Sequence, residues 1–196
     1  MRNILIVLLS VVQFVSCNTG TENRNTGSVQ KNDTLLLSFS VINKDSAHVV
    51  NYRFEKLPGD GQGFSFNYAN ESDSFTLLLD TSKGNYSGKF GGGGVVNLDL
   101  EGAKFYTING SSFKVLKLVG DKNMTDGAFS IFLSPDFGLL VSKSNTWRTA
   151  KVICPNKSGS NYVQLSVLLY RVQTDEEFFP NPVPAIDKNI KPPRVE

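Results

Sequence analysis

Few side chains in this sequence can do chemistry, and their spacing limits what that chemistry is. The chain has one histidine, His48, and two cysteines, Cys17 and Cys154, too few for a zinc centre built from His and Cys. A serine triad around His48 needs a nucleophile elbow, and no Gly-x-Ser-x-Gly occurs. Ser28-Val29-Gln30-Lys31 matches Ser-x-x-Lys in spacing but lacks the companion motifs. The run Gly91-Gly92-Gly93-Gly94 is followed by Val95-Val96-Asn97, where a phosphate loop needs Lys-Ser/Thr. It reads as a loop between strands or a bend in a curved sheet. Asp121 to Gly127 is rich in oxygen ligands, but Asp126 and Phe132 stand where a calcium loop needs Gly and Glu, so a hairpin turn is expected. A glycosidase needs two carboxylates facing one cleft, and here Asp and Glu cluster in turns. The chain is therefore expected not to be an enzyme and to carry no cofactor or metal.

Two residue types remain. Trp147 is the only tryptophan and reads as buried sheet packing or, alternatively, as an exposed platform for a sugar or partner. With Phe64 and Phe66 it is the candidate ligand or partner contact. Cys17 closes an apolar leader. Arg2 supplies a positive start, Ile4 to Val15 an apolar stretch, and Ser16 a small residue before the cut, the pattern of an export signal. The stretch turns polar well before the roughly 20 residues a membrane-spanning helix needs.

Phe14-Val15-Ser16-Cys17 resembles a bacterial lipoprotein signal, matching the lipobox in its last three positions. The resemblance implies that residues 1–16 are removed and that Cys17 carries a diacylglyceryl thioether, often with a third, amide-linked chain. Two or more chains anchor a protein firmly where one holds it marginally. The membrane is then the first expected partner. Asn18 after the cysteine resembles outer-membrane sorting, which places the anchor in the cell envelope facing the periplasm. Asp33-Thr34-Leu35 and Asp45-Ser46-Ala47 resemble the short O-glycosylation signal of Bacteroidota envelope proteins. If Cys17 is unmodified, a disulfide with Cys154 is the alternative, and a free-thiol assay separates the two cases.

These residues sit in a chain whose pattern is that of strands. Residues 18–33 hold one aliphatic residue, Val29, too little apolar surface to offset ordering. They read as a tether reaching about 20–24 Å. From Thr34 the hydrophobic period is two: Leu35, Leu37, Phe39 and Val41, then Val50, Tyr52 and Phe54, then Phe64, Phe66 and Tyr68, then Phe75, Leu77 and Leu79. Turn clusters separate these runs, at Asn43 to Ser46, Pro58 to Gly61, Asn70 to Asp73 and Ser82 to Asn85. Further strands are expected over 105–108, 113–119, 129–133, 139–143, 148–153 and 163–172. The expected fold is all-β, a single domain over 34–178 of antiparallel strands forming a curved sheet, half-barrel or β-sandwich with little or no helix.

The segment 179–196 holds five of the eight prolines and reads as a tail that the sheet cannot enter. The net charge of +2 argues against nucleic acid as a partner. Residues 107–148, with "SPDFG" between two strands, resemble a hairpin of periplasmic half-barrel proteins of the lipoprotein-carrier type. That resemblance implies a curved sheet around an apolar cavity. Phe39, Tyr52, Phe64, Phe66, Phe113, Phe129 and Phe132 either line it or form a solid core. The expected function is a lipid-anchored envelope protein whose β domain binds an apolar ligand or an envelope protein. A structural accessory subunit without a pocket is the alternative, and a carboxylate hydrolase ranks third.

Overall fold

The computed structural model describes residues 35–43, 46–59, 63–123, 127–147 and 149–180. Cys17, the 18–33 tether and the tail beyond Pro180 lie outside them. The strands are β1 (Leu35–Asn43), β2 (Ser46–Pro58), β3 (Gly63–Ala69), β4 (Ser74–Asp80), β5 (Asn85–Phe90), β6 (Val95–Ile108), β7 (Ser111–Gly120), β8 (Phe129–Ser134), β9 (Gly138–Ser144) and β10 (Ala150–Cys154), followed by one helix, α1 (Tyr162–Thr174). Each strand pairs antiparallel with the next, and Ser38–Ile42 of β1 pair with Ala150–Cys154 of β10. The all-β antiparallel sheet expected from the period of two is the sheet observed. It closes on itself as a ten-stranded up-and-down barrel.

Cross-strand partners share a face, so the register identifies the interior. Phe54, Tyr68, Phe75 and Phe90 form one inward row across four strands. Tyr68 stacks on Phe75 with ring centroids 4.3 Å apart, and Phe39 meets Tyr52 and Tyr68 edge-on at 5.7 and 5.9 Å. An eight-stranded barrel is just wide enough for ordinary side chains to fill. Ten strands leave more space, and this chain answers with inward rings that include Phe39, Tyr52, Phe54, Phe66, Tyr68, Phe75 and Tyr86. Where rings crowd, a neighbour is small: at Gly120 a β-carbon would fall within the ring of its cross-strand partner Phe129.

On the other face of β6 to β9 the wall carries a second layer. Phe132 and Val141, an outward pair, are fully buried. They lie under the segment after α1, where Phe178 and Phe179 sit 5.6 and 4.6 Å from Phe132. This double burial explains why Ile131–Leu133 in β8 and Leu139–Val141 in β9 are apolar without alternation.

Beyond the barrel rim β6 and β7 continue as a two-stranded ribbon. β5 pairs with β6 only over Val95–Leu98, and β8 with β7 only over Leu116–Gly120, whereas β6 and β7 stay paired out to Ile108 and Ser111. A bulge at Leu100/Gly102 marks the departure. An isolated two-stranded ribbon is marginal, and here α1 packs against β6. Arg171 donates to the Thr107 carbonyl at 2.6 Å. The Asp175 carboxylate accepts from Tyr106 Oη at 3.0 Å and from Lys104 Nζ at 2.5 Å.

Two segment-level expectations differ. Residues 163–172, read as a strand, are helical, and the sheet ends at Cys154 rather than near Phe178. Val163, Leu165, Val167 and Leu169 fit a period of two, but Leu165, Leu168 and Val172 also fit one helical face, and those three are buried. Pairing of β1 with β10 decides the matter, because a closed barrel offers an eleventh strand no edge to join.

Candidate ligand site at one mouth of the barrel

An up-and-down barrel places alternate turns at opposite ends. The β1–β2, β3–β4, β5–β6, β7–β8 and β9–β10 connections share one end, while the chain enters β1 at the other. The first end therefore gathers Asn70–Asp73, Gly91–Gly94 and the turn bearing Trp147, and a cavity of about 100 Å³ opens there. Its wall is apolar, made by Phe75, Leu77, Phe90, Ile131 and Leu139, with Asp73, Ser142 and Lys151 as its polar members.

Lys151 lies on β10 opposite Val41 and Ser142, which puts its stem on the inner face. Its ammonium sits 4.6 Å from the centre of the Tyr52 ring and 4.7 Å from that of Phe75. A cation over aromatic faces is held by their quadrupoles, the more so when partly desolvated. Lys151 Nζ donates to Tyr52 Oη at 2.8 Å, Tyr52 Oη donates to Asp73 Oδ2 at 2.8 Å, and Nζ lies 3.4 Å from the same carboxylate oxygen. Burial lowers the Lys151 pKa against the opposing pull of Asp73, and burial together with Asp73 raises that of Tyr52. Asp73 is itself positioned by its turn, where Asn70 Oδ1 accepts from its backbone N–H at 2.7 Å.

The opposite mouth is different. A wider groove of about 640 Å³ runs along β3 to β6, taking in inward residues such as Phe64 and Leu79 and outward ones such as Leu78 and Ser87. It is an open surface trough. Its Asp80 is half-buried and held below the usual carboxylate range by the Ser82 hydroxyl and the Lys83 N–H.

The three residues singled out from the sequence do not converge. Trp147 is 61% exposed at the cavity end, where its backbone N–H donates to Ser144 Oγ at 2.8 Å, so exposure and not buried packing is what the structure shows. Phe66 is fully buried, stacked 6.2 Å from Phe54. Phe64 is half-buried at the other end, beneath Lys56 Nζ at 4.3 Å. His48 is exposed on β2, and burial pushes the Cys154 thiol up, which makes it a poorer nucleophile. Sequence reasoning missed Lys151, Asp73, Tyr52 and Ser142 as a group. The available signal was slight: Lys151 shares a face with Ile153, a cation in an otherwise apolar alternation.

Lys143 is a second buried lysine, on the outer wall. Its ammonium lies 4.4 Å from the Phe179 ring centre and donates to the Pro180 carbonyl. Burial, aided by the charge of Lys117, pushes its pKa down to about 8. An unfolded lysine titrates near 10.4, so between pH 8 and about 10 the unfolded chain binds the extra proton and stability rises with pH. Tyr52, Tyr68 and Tyr106 are raised by burial, and above pH 10 the unfolded chain loses their protons first, so stability falls. In a thermal-melt series from pH 8 to 10 the melting temperature is expected to rise relative to that of Lys143→Met, which lacks the titrating ammonium.

Fold and site together define a closed antiparallel barrel with a lysine set into an aromatic wall at one mouth. No family model, curated protein or solved structure matches the chain.

Proposed function

We propose that this is a lipid-anchored, non-catalytic protein of the bacterial cell envelope whose barrel binds a small, largely apolar ligand at the Lys151 mouth. The observation that carries the reading is the cavity, which combines five apolar side chains with a partly buried ammonium. An apolar cavity of about 150 Å³ accommodates benzene. At about 100 Å³ this one suits a body of a few carbons rather than an acyl chain. Lys151 hydrogen-bonds to Tyr52 and the Cys154 thiol is raised, which supports binding over nucleophilic catalysis. The filling of most of the interior by aromatic rings favours a second reading, an accessory subunit of an envelope complex without a ligand.

The anchor belongs to Cys17 and is placed on the outer membrane facing the periplasm. Cys17→Ala is expected to move the protein from the membrane pellet to the soluble fraction after high-salt washing. Retention of the variant in the pellet sinks the anchor.

A further inference from the structure

The polar members of the cavity point to the chemistry of its ligand. An ammonium has three protons. Lys151 gives one to Tyr52 Oη at 2.8 Å, and its approach to Asp73 at 3.4 Å is long for an N–H···O bond. The amine therefore retains capacity for a short, charge-assisted bond. The Ser142 hydroxyl lines the same space and can donate as well. The face of Phe75, which would otherwise receive a ligand cation, is already occupied by Lys151, and the Tyr52 hydroxyl is engaged by the same ammonium. A second cation would meet like charge in a partly desolvated setting, whereas an acceptor meets two donors. The apolar wall of Phe75, Leu77, Phe90, Ile131 and Leu139 then takes a short hydrocarbon of a few carbons.

We infer that the cavity takes a small monocarboxylate, its carboxylate on Lys151 and Ser142 and its short apolar body against Phe75, Phe90 and Leu139. This rests on the pocket reading above and narrows it to one ligand class. Asp73 is the internal competitor. Its carboxylate, 43% exposed at the rim, faces the same ammonium and repels an incoming anion, so removing its charge favours binding.

The experiment is an amide-resolved NMR titration of the full chain carrying Cys17→Ala with three probes: butyrate, 1-butanol and butylammonium. Butyrate is expected to shift Phe90, Ile131, Leu139 and Ser142 saturably, and 1-butanol and butylammonium to bind at least ten-fold more weakly. Lys151→Met is expected to weaken butyrate at least ten-fold and Lys151→Arg to restore most of that loss, while Asp73→Asn tightens it two- to five-fold. Amide dispersion of each variant reports that the barrel is intact. Equal binding of butyrate and 1-butanol, or undiminished butyrate binding by folded Lys151→Met, overturns the carboxylate assignment and leaves the pocket standing. If no probe of any charge shifts these amides, the pocket itself fails, and this inference with it.

Discussion

Gly138→Ala is expected to destabilise the barrel by about 3 kcal/mol, read as a lower midpoint of urea unfolding at unchanged m value. Gly138 opens β9 with φ of +78°, a conformation that costs an L-residue about 1 kcal/mol or more. The added β-carbon would also meet the Tyr68 hydroxyl and the edge of the Phe54 ring. Overpacking a filled interior costs roughly 1–3 kcal/mol more. The hydroxyl cannot retreat freely, because it accepts the Leu139 N–H at 2.7 Å in a fully buried setting. Tyr68→Phe gives the control. It removes the obstructing oxygen while leaving the Leu139 N–H without that acceptor, at about 1–3 kcal/mol. In that background the cost of alanine at 138 is expected to shrink by at least about 0.5 kcal/mol. Strict additivity in the cycle would show that the hydroxyl is not what the β-carbon strikes.

Phe132→Ala is expected to cost about 4 kcal/mol, within the range for a buried aromatic cut back to alanine. The ring is fully buried on the outer wall and touches the rings of Phe178 and Phe179. Its loss removes the surface on which the segment after α1 rests. That segment has other ties: Phe179 N–H donates to the Asp175 carbonyl at 2.7 Å, Asp175 Oδ1 accepts from Phe178 N–H at 3.1 Å, and Lys143 donates to the Pro180 carbonyl. Local opening is therefore expected before global unfolding. In hydrogen exchange the amides of 175–180 should lose protection first, with the interior row of Phe54, Tyr68, Phe75 and Phe90 unchanged. Uniform loss of protection across both layers would show that wall and interior form one cooperative unit.

Much of the fold was legible because its strands obey the simplest pattern. In β3 and β4 the inward residues Phe64, Phe66, Tyr68, Phe75, Leu77 and Leu79 alternate with polar or exposed ones, and the burial follows that alternation. β6 was harder to read, since Asp99, Glu101 and Lys104 interrupt it and the bulge at Leu100/Gly102 shifts its face mid-strand. α1 was misread because its valines and leucines satisfy both periods, and no local signal resolves such a tie. The site was less legible still. Lys151 and Asp73 are 78 positions apart, and only the register through Val41 and Ser142 turns Lys151 inward.

By itself the sequence determined the class of structure, one antiparallel β domain, because side-chain alternation is a local property written residue by residue. It also determined an unusual supply of aromatic rings, without saying whether they would line a cavity or fill a core. The tertiary structure decided that they fill most of it. Closure of β1 on β10 sets the strand number, and strand number sets the interior width that Phe and Tyr must occupy. The same closure left α1 no sheet edge and brought the turns of Asp73, Gly91–Gly94 and Trp147 to one end. There it seated Lys151 against two rings, since long-range register, and not local propensity, fixes which face a charged side chain takes.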